Sequence, residues 1–192
     1  MKLLAPAVLA LLCACSPTQP AIAAPAAAPV KGWLAWRGPN QSGTSAEKGL
    51  PSSIDPKKPL WTAAFPGQSA PVIANGKLYI MGYLGEGAEL QEGVRCYDAE
   101  TGKMLWEKRY TDFLSDTIYL RYATSSPAVD PETGNVYMLG TQGMLKAFTA
   151  DGKELWGYSM MEQFGRLTFP NSRTASPVID KDLVIVRGIT SN

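Results

Sequence analysis

Residues 97–106 read YDAETGKMLW, and residues 148–156 read FTADGKELW. They are one phrase written twice, with closing tryptophans Trp106 and Trp156 spaced 50 residues apart. In the first copy Asp98 can accept turn N–H groups, Thr101 adds a hydroxyl bond, and Gly102 supplies positive φ. The second copy is one residue shorter, with Thr149 in place of the aspartate and Asp151-Gly152 forming the turn. Both lie between β-rich runs, so VRCYDAETGKMLWEKRY and LKAFTADGKELWGYSM each predict strand, tight turn, strand.

Working outward, APVIANGKLYIMGY (70–83) predicts a hairpin about Asn75-Gly76, because both residues tolerate positive φ. SPAVDPETGNVYMLG (126–140) repeats it with a longer turn around Thr133-Gly134, and SPVIDKDLVIVRG (176–188) begins it a third time. The unit is therefore four short antiparallel strands, tagged by a proline at the start and Leu-Trp near the end. Pro71, Pro127 and Pro177 are 56 and 50 residues apart; Trp61, Trp106 and Trp156 are 45 and 50 apart. Four strands per unit at such a period predict a β-propeller, an all-β fold of four-stranded blades. Residues 69–110 form one blade, 125–159 a second, and 175–192 begin a third. Leu60 to Phe65 reads as an outer strand with no preceding partners. The tryptophans are expected to fill the gaps between blades, since an indole buries ~150–250 Å².

Composition narrows the chemistry. Eighteen basic residues face 17 acidic ones, a net charge of +1 that offers no field for a phosphate backbone, so nucleic acid is not an expected partner. There is no histidine, which removes Ser-His-Asp and Cys-His centres and His-ligated zinc. Cys96, on a predicted strand, reads as a small packed residue rather than a reactive thiol. Glu86, Glu89 and Glu92 in YLGEGAELQEG (83–93) read as a solvated loop.

The N-terminus reads as an address. In residues 1–15, Lys2 precedes an apolar run too short for a permanent membrane span and suited to a secretory signal. Residues 16–31 are Ala/Pro-rich and almost uncharged, the composition of a tether. The propeller domain is placed at 32–192.

The motif Cys96-x-Asp98-x-x-Thr101-Gly102-x-x-x-Trp106 resembles the tryptophan-docking motif of the PQQ-like (quinoprotein alcohol dehydrogenase-like) β-propellers, and Ala147 to Trp156 resembles its shortened variant. WLAWRGPNQSGTS (33–45) resembles the opening of exported bacterial members of that superfamily. Leu12-Cys13-Ala14-Cys15 resembles a lipobox, which makes Cys15 the candidate lipidation site; ordinary cleavage after Ala21-Ile22-Ala23 is the alternative. By analogy with such lipoproteins, Ser16 fits delivery to the outer membrane with the domain facing the periplasm. The family's rings have seven or eight blades, so the chain is expected to be the N-terminal part of a longer protein, incomplete at the C-terminus.

Three functions stay open, the first two implied by the resemblance and the third read from the loop aromatics. The first is a non-catalytic scaffold for envelope proteins, similar to the lipoprotein propeller of the outer-membrane β-barrel assembly machinery, held to the membrane only by its lipid and using no cofactor. The second is a PQQ-dependent dehydrogenase with calcium, whose catalytic residues would lie in blades beyond these; the vicinal Cys-Cys pair common in such enzymes is absent from this sequence. The third is a ligand- or glycan-binding propeller using Tyr119, Tyr122 and Phe169. Arg121 and Arg173, shortly before the inner-strand prolines, are candidates for channel or loop contacts with a ligand, as is Tyr122.

Overall fold

The computed structural model describes residues 28–111, 121–164 and 175–188. The fold is all-β, and every strand pair is antiparallel. The first sheet has the order β1 (Gly32–Trp33), β2 (Val72–Ala74), β3 (Lys77–Leu84), β4 (Gln91–Asp98), β5 (Met104–Thr111). The second has β6 (Ala128–Val129), β7 (Val136–Leu139), β8 (Met144–Phe148) and β9 (Glu154–Ser159), followed by the single-turn helix α1 (Met160–Phe164). A third sheet pairs β10 (Val178–Asp180) with β11 (Leu183–Ile185). These are successive blades of a β-propeller, open among the described residues.

The turns follow from their residues. Asn75 and Gly76 both take left-handed φ (48° and 76°), the geometry of a two-residue hairpin turn. In β4–β5 the pair Cys96↔Trp106 is followed by Tyr97↔Met104, which leaves Leu105 as the bulge; in β8–β9, Ala147↔Trp156 is followed by Phe148↔Glu154, which leaves Leu155. The repeated phrase therefore encodes a bulge as well as a turn, and the bulge re-aims the tryptophan.

The core lies between blades. Tyr79 and Met81 of β3 and Val94 and Cys96 of β4 alternate onto one face and meet Val136, Met138 and Phe148 of the second blade. Leu139, Leu145 and Met160 meet Val184 and Val186 across the next gap. A sheet with period-2 alternation buries a face only against another sheet, so each blade depends on its neighbour.

Two expectations bear on the N-terminal part. Leu60–Phe65, expected as an outer strand with no preceding partners, has no ladder partner among the described residues, and Leu60 is 92% exposed. Side chains fix it instead. Phe65 lies on Gly82, where a Cβ would come within 2.6 Å of the ring, and the Arg95 guanidinium sits 4.1 Å from the Phe65 centroid while donating to the Ala64 carbonyl at 2.9 Å. Second, Val30 and Lys31, grouped with the tether by composition, already bond to the blades. Val30 N–H donates to Pro131 O and Lys31 N–H to Asn75 Oδ1, while Leu34 O accepts from Val129 N–H. Residues 30–35 thus strap the inner edges of both blades together. The signal segment, Cys15 and most of the tether lie outside the described residues, as do Tyr119, Phe169 and Arg173.

Candidate functional site

The motif residues act at blade junctions. Asp98 Oδ1 accepts from the backbone N–H and the hydroxyl of Thr101, both at 2.8 Å, and Gly102 sits at φ 70°. These bonds pull the Asp98 carboxyl below its usual range, the Thr101 hydroxyl bond being the largest cause. The shorter turn replaces them with Lys153 N–H donating to Thr149 Oγ1 at 3.1 Å, with Gly152 at φ 83°. Trp106 lies over Gly152 and donates its Nε1–H to Ala150 O at 3.1 Å. Lys77 donates to the same carbonyl at 3.2 Å and pairs with Asp151 at 2.6 Å. Trp61 makes the corresponding contact one blade earlier, lying over Gly102 and donating to Ala99 O at 3.0 Å. Trp156 is 41% exposed and meets Tyr137 at a ring-centroid distance of 5.8 Å.

Glu92 is not part of a solvated loop. Its side chain is fully buried, in phase with Val94 and Cys96 on β4. It accepts from Ala123 N–H at 2.6 Å, Thr141 N–H at 2.7 Å and the Tyr110 hydroxyl at 3.1 Å, and from the Thr141 hydroxyl. Sequence reading missed this hub; the period-2 phase of β4 is the signal that finds it. Burying a carboxylate is tolerable only with such a set of donors. Its effect is local: it holds Ala123, a buried non-glycine residue at φ 50°, whose carbonyl accepts from Gln68 N–H at 3.1 Å.

That clamp shapes one wall of an open cleft of about 490 Å³. Trp36, Arg37 and Gln41 line it from the loop after β1, Gln68 from the approach to β2, Thr124 and Ser126 from the approach to β6, and Ser176–Val178 from the third blade. The residues before the inner-strand prolines lock these approaches together: Ala70 N–H donates to Ser126 Oγ and Ser126 N–H to Ser176 Oγ, each at 2.9 Å. On the rim, Gly38 is required by the Trp33 ring, which a Cβ would approach to 2.9 Å. Trp33 is half-buried over Gly38, whereas Trp36 is 60% exposed.

Of the candidate ligand contacts, Arg121 is half-buried, whereas Tyr122 is 1% exposed and meets Tyr83 at 5.5 Å, edge to face. Tyr122 is a core side chain, and the aromatic ring that faces the cleft is Trp36.

The PQQ-repeat family model described as "Outer membrane protein assembly factor BamB" matches residues 34–191. The chain belongs to this family. No curated protein matches it. The match to the BamB family takes in both docking turns, the Glu92 hub and every residue named for the cleft. Among the described residues no group of three or more acidic or other metal-binding side chains comes together; Glu86 and Glu89 are exposed, and Glu92 is turned inward onto its donors.

Proposed function

We propose that the chain is an exported, non-catalytic scaffold that engages other envelope proteins during outer-membrane assembly. The observation that carries this is the family match across 34–191, whose description names an assembly factor. The geometry supports it. The strongly bonded ionisable groups hold the molecule itself together: Glu92 and the Lys77–Asp151 pair join the blades, Asp98 closes a turn, and the Arg95–Glu107–Arg109 cluster crosses β4–β5. Within this reading Cys15 carries the lipid, residues 16–31 are the tether, and the propeller faces the periplasm from the outer membrane, with proteins as its partners; the near-neutral charge offers no field for nucleic acid.

The test uses the full-length protein in its native envelope, with a photo-crosslinking residue at Trp36 or, as a control on the outer strand, at Lys108. Adducts with β-barrel assembly components from Trp36 are expected, together with a diacylglyceryl mass on the Cys15 peptide. Calorimetry with PQQ and calcium is run beside it. Tight quinone binding without assembly adducts would overturn the scaffold reading in favour of the dehydrogenase.

A further inference from the structure

We infer that the cleft between the first three blades receives an extended, carboxylate-bearing peptide segment of a partner protein. This rests on the scaffold reading and adds the chemistry of the partner. Three observations converge on the cleft.

The first is charge. Arg37 is the one ionisable side chain among the described residues that line it, and no acid accompanies it. One guanidinium nitrogen donates to Ser42 O at 3.2 Å; the remaining N–H groups have no partner among the described residues. A planar fork of donors suits a carboxylate.

The second is the pairing of an apolar platform with unspent amides. Trp36, Pro177 and Val178 offer an indole and aliphatic surface, and Val178 is 39% exposed. The side-chain amides of Gln41 and Gln68 have no hydrogen-bond partner among the described residues, and an amide can both donate to and accept from a peptide backbone. A strand-like peptide places side chains alternately, so one residue can meet Trp36 while its neighbour reaches Arg37.

The third is backbone strain. Four non-glycine residues among those described have left-handed φ. Asn75 and Lys181 sit in hairpin turns, where this is expected; Gln41 lines the cleft and Ala123 precedes Thr124 on its wall. Strain of this sort persists only where surrounding bonds impose it, and it gathers at binding sites. At Ala123 the imposing bond is that of Glu92.

The test is fluorescence anisotropy on the full-length protein. The probes are a labelled peptide of about eight residues alternating valine and glutamate, and its valine–glutamine counterpart. The acidic peptide is expected to bind ~10-fold or more tightly than the neutral one, with the difference shrinking as salt rises. Arg37→Gln should abolish that difference, whereas Trp36→Ala should weaken both peptides. Both side chains are exposed, and an unchanged urea midpoint shows that the variants fold. Equal binding of the two peptides, indifference to Arg37→Gln, or Trp36-dependent binding of chitotetraose with no peptide binding would overturn the proposal. If peptides fail here while envelope adducts still form from another face, the scaffold reading stands and the cleft assignment falls.

Discussion

The indole of Trp106 rests on Gly152 so closely that a Cβ there would lie 2.7 Å from the ring, and its Nε1–H reaches Ala150 O in the same turn. Trp61 stands in the same relation to Gly102 and Ala99. Blade-to-blade attachment is thus a repeated lock: an aromatic plate from one element, a glycine that cannot be larger, and a carbonyl that fixes the plate's rotation.

Gly152→Ala should test the lock. It combines a left-handed φ of 83° with a steric clash against Trp106. A destabilisation of ~2–4 kcal/mol is expected from urea unfolding. Gly76→Ala is the control, with the same backbone penalty at φ 76° but no atom within 4 Å of the new Cβ. It should cost only ~1 kcal/mol. Equal losses at the two sites would mean that the ring contact contributes nothing.

Glu92→Gln should be more damaging than its conservative form suggests. Four donors converge on the two carboxylate oxygens. An amide has one acceptor oxygen, so whichever way it is turned its NH₂ must face a backbone N–H, that of Ala123 or of Thr141. A loss of ~2–4 kcal/mol is expected, against a change within ~0.5 kcal/mol for exposed Glu89→Gln. A near-neutral Glu92→Gln would remove the hub from this account.

How much of this the sequence carried depends on whether a residue's role was local. The Asn75-Gly76 turn and the Asp98–Gly102 turn are local chemistry, and both were legible. The small residue at Cys96 has a non-local cause: Tyr79 and Trp106 flank it in one cross-strand row, as Tyr137 and Trp156 flank Ala147, and each Tyr–Trp pair meets at 5.8 Å over it. Glu92 was hidden because Gly- and Glu-rich surroundings mimic a loop, although its strand phase points inward. Leu60–Phe65 has strand composition but no ladder partner among the described residues, and ladders are not local. Trp36 and Arg37 were read as part of an opening motif; that both side chains stand exposed at a cleft depends on how three blades meet, which is not local.

Acid should loosen the docking turn. The Thr101 hydroxyl and backbone bonds lower the Asp98 carboxyl, and Glu107 is lowered because bonds from Arg95 and Arg109 outweigh the upward push of its burial. Groups whose folded pKa lies below the unfolded value contribute stability above the ordinary carboxylate range and lose it as pH falls through the folded value. Urea midpoints should therefore fall below about pH 4. Asp98→Asn keeps an acceptor oxygen without the titration, so its midpoint should fall less steeply over that range. An identical acid profile would place the loss elsewhere.

Cys96 should behave as packing material. Its side chain is wholly buried, and burial pushes the thiol up to about 11, against the weaker opposing pull of Lys77 and the Tyr79 hydroxyl. Little thiolate exists near neutral pH, and no reagent reaches it without opening the blade junction. Alkylation by iodoacetamide at about pH 8, mapped to the Cys96 peptide by mass spectrometry, should be at least ~100-fold slower in the folded protein than in urea. The second blade supplies the natural replacement, since Ala147 occupies the equivalent place in its own row. Cys96→Ala should accordingly cost less than ~1.5 kcal/mol, whereas Cys96→Leu must force the Tyr79 and Trp106 rings apart and should cost ~1–3 kcal/mol or more. Fast labelling of the folded protein, or a harmless leucine, would show that the row is not closed over this position.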